Sequence, residues 1–212
     1  MNYKILLLLI AFAVQAGASV FTFTDRTEFL AAIDSGYYEE TFSTIPTDLI
    51  IFTGKSFSGN GFSYYVSAED GLYVTVIDSD ISLSGEDASY PLIIDSFAGG
   101  ITAIGGSFFF DNAENALSPS GSGFLTLWNG TEALATLAVN TPTSNKSFFG
   151  FISTTPFTAL TLQGTSTEQS GYAWPNVDNL IVGTADPSAV PEPSTYLLFG
   201  AGLAGLALLR RR

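Results

Sequence analysis

The sequence predicts an all-β protein, an antiparallel β-sandwich of the jelly-roll type with one short helix near its N-terminal end. Composition is the first observation behind this prediction. Charged residues make up only 13% of the chain, whereas Gly and Phe contribute 21 and 18 of its 212 residues, which disfavours a helical cytosolic protein. The second is a series of roughly eleven short runs rich in β-branched and aromatic residues, each bounded by turn residues. Such runs, without helical crossovers between them, pack as two antiparallel sheets.

The N-terminal part of the domain carries the one helical signal. Residues 20–24 alternate apolar side chains with Thr and are predicted as a strand. Asp25 and Glu28 have the spacing of a capping box, so a helix is expected to start there and to end at Gly36.

The remaining chain is predicted to consist of strands and turns. Asn129-Gly130 is the clearest hairpin signal, because both residues tolerate the positive φ angles of a type I′ turn. The expected strands are 37–43, 49–53, 61–67, 72–77, 91–97, 101–110, 123–128, 131–139, 147–153, 158–163 and 176–183.

The first 18 residues are predicted to form the helix of a secretory signal peptide. Lys4 precedes an apolar run at 5–14, and small residues follow it. Ala16 and Ala18 match the small-residue pattern of a signal peptidase site, so cleavage is expected after Ala18. Signal peptidase and the Sec translocon are therefore expected partners. The run is too short to remain as a membrane-spanning anchor.

The C-terminal end combines three features in a fixed order. Two prolines hold an extended segment, an apolar run follows at 196–209, and three arginines close the chain. As a transmembrane helix the run would measure about 21 Å, short of a hydrocarbon core of about 30 Å, so it needs the arginines to snorkel to the interface. The arginines are expected inside and the preceding domain outside the cytoplasm. The proline motif is Val190, Pro191, Glu192, Pro193 and Ser194, and the tail is Arg210, Arg211 and Arg212.

This C-terminal arrangement resembles the PEP-CTERM sorting signal of exported proteins of Gram-negative bacteria. The resemblance implies exosortase, a membrane-embedded transpeptidase-like Cys enzyme, as a partner that processes the chain near the Pro-Glu-Pro motif. It also implies an inner-membrane anchor followed by delivery to the cell surface or the extracellular polysaccharide matrix. The expected divisions are a signal peptide at 1–18, a β-sandwich domain at 19–183, a linker at 184–189 and a sorting signal at 190–212. Segments 148–153, 156–161 and 176–183 also resemble the closing strands of jelly-roll domains in PEP-CTERM proteins, which are distantly similar to carbohydrate-binding modules.

Composition excludes several classes of function. The chain has no His and no Cys, so Ser-His-Asp and Cys-His catalysis and Cys-ligated metals are excluded. Between residues 19 and 189 there are nineteen acidic and three basic side chains, a net charge of −16 that disfavours nucleic acid as a partner. No catalytic residue is assigned, and the protein is predicted not to be an enzyme.

Five acidic residues are candidate calcium ligands. Asp78, Asp80, Glu86 and Asp87 fall within ten positions and would supply oxygen ligands if a loop gathered them, although a solvated acidic loop is the simpler interpretation. The segment lacks the EF-hand pattern. Asp178 could cap a turn, bind calcium or accept hydrogen bonds from backbone amides, and the last is favoured. No other cofactor is predicted.

Two functional hypotheses follow. The first is a non-catalytic structural or adhesive role associated with exopolysaccharide, which suits an acidic, Cys-free exported module. The second is a carbohydrate-binding module or a carboxylate-dependent glycosidase that acts on the same polysaccharide. Carboxylates adjacent in sequence, as at 39–40 and 69–70, point to opposite faces of a strand and do not form a glycosidase pair. The aromatic residues that could stack on sugars, if they do not simply pack the sheets, are Tyr37, Tyr38, Tyr64, Tyr65, Tyr73, Trp128 and Trp174.

Overall fold

The computed structural model describes residues 19–47, 49–141, 146–165 and 172–186, and these residues form two packed antiparallel sheets with one short helix. The predicted all-β sandwich is confirmed. The predicted signal helix and C-terminal transmembrane helix lie outside the described residues. The elements are β1 (Val20–Phe23), α1 (Arg26–Ala31), β2 (Tyr38–Glu40), β3 (Leu49–Ile51), β4 (Lys55–Gly59), β5 (Phe62–Ser67), β6 (Leu72–Ile77), β7 (Asp80–Gly85), β8 (Leu92–Ala98), β9 (Ala103–Asp111), β10 (Ser122–Asn129), β11 (Glu132–Asn140), β12 (Ser147–Ser153), β13 (Ala159–Gly164) and β14 (Trp174–Gly183).

The two sheets have eight and six strands. The eight-stranded sheet has the order β1-β12-β9-β14-β7-β6-β3, and β2 also pairs with β14. The six-stranded sheet has the order β11-β10-β13-β8-β5-β4. From β8 onward the chain crosses repeatedly between the sheets, which is the connectivity typical of a jelly roll.

The core lies between the sheets and follows the alternation of side chains along each strand. Phe108 and Phe110 of β9 and Leu125 and Leu127 of β10 are fully buried in one cluster to which both sheets contribute. Residues at intervening positions point outward, as Phe124 of β10 does with 49% of its surface exposed.

A short helix covers part of the outward face of the eight-stranded sheet. The Asp25 carboxylate accepts a hydrogen bond from the Glu28 amide at 2.9 Å, which confirms the predicted N-cap. The prediction that the helix continues to Gly36 is wrong. It ends at Ala31 because Ile33 already forms a β-bridge with Ala185.

Two strands were not expected from the sequence. Strand β4 consists mainly of Ser, Gly and Lys, which are weak strand formers, and it joins β5 through Asn60-Gly61, whose φ angles of 52° and 86° suit a type I′ turn. Strand β7 begins at Asp80, inside the segment predicted as an acidic loop. Its Ser82 and Ser84 are buried on the outward face of the sheet.

The hairpin near residue 130 is present, but its turn is shifted by one residue from the prediction. Asn129 is the last residue of β10 and pairs with Glu132, so Gly130 and Thr131 form the turn. Gly130 has a φ angle of 59°, as required at the first central position of a type II′ turn.

The chain stays attached to the domain beyond the predicted boundary at Gly183. The Asp34 amide donates to the Thr184 carbonyl at 2.9 Å, and the Asp186 amide donates to the Ala32 carbonyl at 3.1 Å. Residues 184–186, predicted as the start of a linker, therefore pack beside the end of α1. Within the described ranges, no helix is long and apolar enough to cross a membrane.

Phe29 provides a test of how the helix is seated. It is fully buried against Gly105 and Gly150, which face each other on β9 and β12, and a Cβ at Gly150 would lie 2.6 Å from Phe29 Cδ2. We predict that Gly150→Ala lowers the free energy of unfolding by roughly 1–3 kcal/mol through overpacking, measured by urea denaturation. Gly36→Ala is the control, because a Cβ there meets nothing within 4 Å. Equal stability of the two variants would contradict the packing argument.

Candidate functional site

A groove made of two adjoining recesses lies at the end of the sandwich where β14 begins. Each recess has a volume of about 270 Å³, and Trp174 and Glu86 line both of them. The first recess is also lined by Tyr73, Ser84, Gly85, Asp111, Asn112, Ala113 and Asn115, and the second by Asp87, Ala88, Ser89 and Tyr172.

Aromatic rings form the ridge of the groove. The Trp174 and Tyr172 ring centroids are 6.1 Å apart at an interplanar angle of 50°. Trp174 Nε1 donates to the Glu86 carbonyl at 3.1 Å, which holds the indole over the segment that follows β7. Tyr172 is 43% exposed, and Tyr73 contributes a third ring from β6. The ridge therefore offers aromatic faces beside polar groups.

A buried carboxyl group forms the floor of the first recess. Asp111 is the last residue of β9 and lies opposite Trp174 in the strand register. Its Oδ1 accepts a hydrogen bond from Asn176 Nδ2 at 2.8 Å, and Asn176 Oδ1 accepts one from Ser82 Oγ at 3.2 Å. This chain of hydrogen bonds runs along the outward face of the sheet and orients the carboxyl group.

The environment of Asp111 changes its ionisation. Burial raises the pKa of Asp111 to about 7, and the hydrogen bond from Asn176 opposes the rise. Near neutral pH the carboxyl group is thus divided between protonated and ionised forms, so it can either donate a hydrogen bond to a hydroxyl group or accept one.

Loops on either side of the groove are held by local hydrogen bonds. Asn112 Oδ1 accepts from the amides of Glu114 and Ala116, at 3.1 and 3.0 Å. Asp87 Oδ1 accepts from the Ser89 amide at 2.7 Å. These contacts fix the two loops that flank the Trp174 ridge.

The candidate calcium ligands are divided between the two ends of a hairpin. Asp78 lies in the β6–β7 turn with a φ angle of 55°, and Asp80 starts β7, whereas Glu86 and Asp87 follow its far end. Six residues of strand separate the pairs by about 20 Å. The predicted acidic loop is therefore wrong in its geometry. In the part of the chain that the structure describes, no group of three or more acidic side chains is placed to hold a metal ion.

Asp178 accepts a backbone hydrogen bond, as predicted from the sequence, and also forms an ion pair that no sequence pattern indicated. Its Oδ1 accepts from the Asn179 amide at 2.7 Å, and its Oδ2 is 2.8 Å from Lys146 Nζ. Lys146 also contacts Asp80 at 3.2 Å and lies 5.4 Å from the centroid of the Phe109 ring. Burial raises the pKa of Asp178, and the Lys146 ammonium opposes the rise.

The predicted aromatic candidates separate into four locations. Tyr37 packs against the small cluster that contains Phe29 of α1. Tyr73 and Trp174 line the groove. Tyr64 is fully buried in the core and Tyr38 packs against it. Trp128 and Tyr65 lie on strands of the six-stranded sheet. Of the other groove residues, Glu86 and Asp87 were predicted only as calcium candidates, and Tyr172 and Asp111 were not predicted. The spacing of Tyr172 two positions before Trp174 could have indicated the first, whereas only the sheet register links Asp111 to Trp174.

The predicted processing sites at Ala16 and Ala18, the proline motif at 190–194 and the arginine tail at 210–212 lie outside the described residues. A comparison with protein families bears on the last two. Residues 189–212 match the PEP-CTERM protein-sorting motif. This match confirms the predicted sorting signal. The PEP-CTERM motif marks an exported, membrane-anchored protein and implies exosortase as its processing enzyme.

Three solved structures are similar to the chain. A point mutant of the carbohydrate-binding module CBM29-2 is 12% identical, with 68% of this chain and 96% of that chain covered and a TM-score of 0.33. CBM29_1 from Piromyces equi is 9% identical, with 68% of this chain and 93% of that chain covered and a TM-score of 0.35. A further family 29 carbohydrate-binding module is 12% identical, with 69% of this chain and 94% of that chain covered and a TM-score of 0.33. No curated protein matches the chain.

The raised pKa of Asp111 predicts how the free energy of unfolding changes with pH. Because its pKa rises from 3.8 in the unfolded chain to about 7 in the folded one, its stabilising contribution is complete below about pH 4 and is lost as the pH rises to about 7. We predict that Asp111→Asn is more stable than wild type at pH 8, by on the order of a few kcal/mol, and that the difference shrinks toward pH 4. Urea denaturation at pH 4, 6 and 8 measures this.

Glu114→Gln is the matched control for Asp111→Asn, because it removes a carboxylate from the exposed loop next to the groove. Its stability relative to wild type should be the same at all three pH values. An Asp111→Asn curve that runs parallel to the wild-type curve would contradict the prediction.

Proposed function

We propose that the chain is an exosortase-processed surface protein that binds neutral polysaccharide in the groove around Trp174, without catalysis. The observation that carries this proposal is the combination of the Trp174 and Tyr172 rings with the buried Asp111 carboxyl group in one cleft. The resulting role is structural or adhesive, at the cell surface or in its polysaccharide matrix.

The chemistry of the groove suits a sugar. A pyranose ring presents C–H groups on its faces, which stack on an aromatic ring, and hydroxyl groups at its edge, which need hydrogen-bond partners. The indole of Trp174 supplies such a face, and the Asp111 carboxyl group and Ser84 hydroxyl lie in the same recess. A concave site with a few fixed polar groups beside apolar surface is the usual form of a small-molecule binding site.

Charge favours a neutral sugar over an acidic one. Glu86, Asp87 and Asp111 line the groove, and the surrounding domain has a net charge of −16. An acidic polysaccharide would be repelled by this field, whereas a neutral one would not. The expected ligand class is therefore a neutral surface polysaccharide.

Hydrolysis of the same polysaccharide is a second candidate function, and one observation favours it. The raised pKa of Asp111 keeps part of this carboxyl group protonated near neutral pH, as a general acid requires, and Glu86 lines the same recess. The release of reducing ends from a neutral polysaccharide, abolished in Asp111→Asn, would establish the hydrolase. Binding without release would leave the non-catalytic proposal.

The test of binding uses the full chain in detergent micelles and affinity electrophoresis through gels that contain a soluble β-glucan, a galactomannan or polygalacturonate. We predict retardation by at least one neutral polymer and not by polygalacturonate. Trp174→Ala should weaken the interaction about tenfold, through loss of the stacking face. Trp174→Phe keeps an aromatic ring, so its retardation should lie between that of wild type and that of Trp174→Ala. Retardation of Trp174→Ala equal to that of wild type would contradict the groove as the binding site.

The sorting motif supports a separate prediction. Glu192→Ala, or replacement of Pro191 and Pro193 by Ala, should block processing and leave a membrane-retained precursor, because the recognised motif is lost. Immunoblots of membrane and released fractions from an exosortase-containing host measure this. A control substitution, Ser188→Ala, lies just before the matched residues and should be processed like wild type. Equal release of motif variants and wild type would contradict the proposed processing.

A further inference from the structure

The outward face of the six-stranded sheet is a second surface with the features of a ligand-binding platform. Its strands alternate, so the neighbours of the core residues Leu127, Leu160, Ile94 and Tyr64 point away from the core. Phe124, on this face, is 49% exposed, and Trp128 and Tyr65 are half-buried.

One row of side chains crosses this face. In the strand register, Trp128 of β10 lies opposite Ala159 of β13, Ala159 opposite Asp95 of β8, and Asp95 opposite Tyr65 of β5. Three strand spacings separate the two aromatic residues by about 14 Å. The small Ala159 side chain and Asp95 lie between them, and we refer to the surface between Trp128 and Tyr65 as the trough.

The trough is pre-formed. Trp128 Nε1 donates to Thr161 Oγ1 at 2.9 Å, which holds the indole on the next strand of the sheet. Thr126 and Thr136 bond each other through their hydroxyl groups at 3.2 Å in the adjacent row. A ligand that stacks on the fixed indole loses little side-chain entropy of the protein.

Charge identifies the kind of ligand. Asp95 is the only carboxylate, and no Lys or Arg is present, among the outward-facing strand positions of this described sheet. A domain with a net charge of −16 therefore keeps this face almost free of charge and covered by hydroxyl, small and aromatic side chains. Such a face suits an uncharged, hydroxyl-rich polymer better than a protein partner of either charge.

We propose that the trough between Trp128 and Tyr65 is a second binding site for a neutral polysaccharide chain, so that one protein molecule can bridge two chains. The proposal rests on the function proposed for the groove, since it assigns the same ligand class. The two sites are separate, because the groove floor lies on the outward face of the opposite sheet and the core lies between them. Bridging would make the protein a cross-linker of the matrix.

The experiment is affinity electrophoresis of the full chain in detergent micelles, through gels with increasing concentrations of the β-glucan and the galactomannan. We expect Trp128→Ala and Tyr65→Ala each to weaken retardation about threefold or more, and the pair Trp128→Ala with Trp174→Ala to abolish it. Phe52→Ala is the control, because it removes a 75% exposed aromatic ring next to a strand of the other sheet. Circular dichroism of each variant verifies folding.

The outcomes separate the two sites. Weaker retardation of Trp128→Ala, with Phe52→Ala unchanged, supports the trough whether or not Trp174→Ala is affected. Retardation of Trp128→Ala and Tyr65→Ala equal to that of wild type, with a loss in Trp174→Ala, overturns the trough and leaves the groove. A wild-type chain that no neutral polymer retards overturns both.

Discussion

The buried ion pair between Lys146 and Asp178 constrains the central strand of the molecule. Strand β14 pairs with β9 on one side, and on the other side first with β7 and then with β2. The partner of β14 changes from β7 to β2 at a bulge where Asn179 has a φ angle of 50°. At this bulge the Asp178 carboxylate binds both the Asn179 amide and the Lys146 ammonium. Removal of the Lys146 charge would leave the buried Asp178 carboxylate without an ion-pair partner, which is far more destabilising than the loss of an exposed pair.

The same strand joins the bulge to the groove. Asn176 lies two residues before Asp178 on the outward face, and it links the Ser82 hydroxyl to the Asp111 carboxyl group. Polar side chains are buried here because each has a hydrogen-bond partner along the sheet. The groove is thus built on rigid strands, and only its two walls are loops. Trp174 of its aromatic ridge and the Asp111 carboxyl group of its floor come from one strand pair, β9 and β14.

The sequence was sufficient for the fold class and for the sorting motif, since both depend on local composition and order. Strand β6 and the Asp25 cap were predictable from side-chain alternation and cap chemistry. Strands β4 and β7 were not, because Ser, Gly and Asp disfavour strands and only the pairing partners stabilise them there. The groove was only partly predictable. Asp111 and Trp174 meet through sheet register, and the partner of Lys146 is likewise set by tertiary pairing, which no local pattern encodes.

The direction of β14 has a consequence for how the protein is presented. The strand starts in the groove at Trp174 and ends at Gly183, nine residue steps or about 30 Å away. From there the chain stays beside α1 up to Asp186, three positions before the sorting motif begins. The described chain thus leaves the sandwich at the pole opposite the groove, and the length of the sandwich separates the groove from the point after which the sorting motif follows. A cut in the chain beyond Asp186 would leave the groove unchanged, because every residue that lines the groove precedes Pro175 in the sequence.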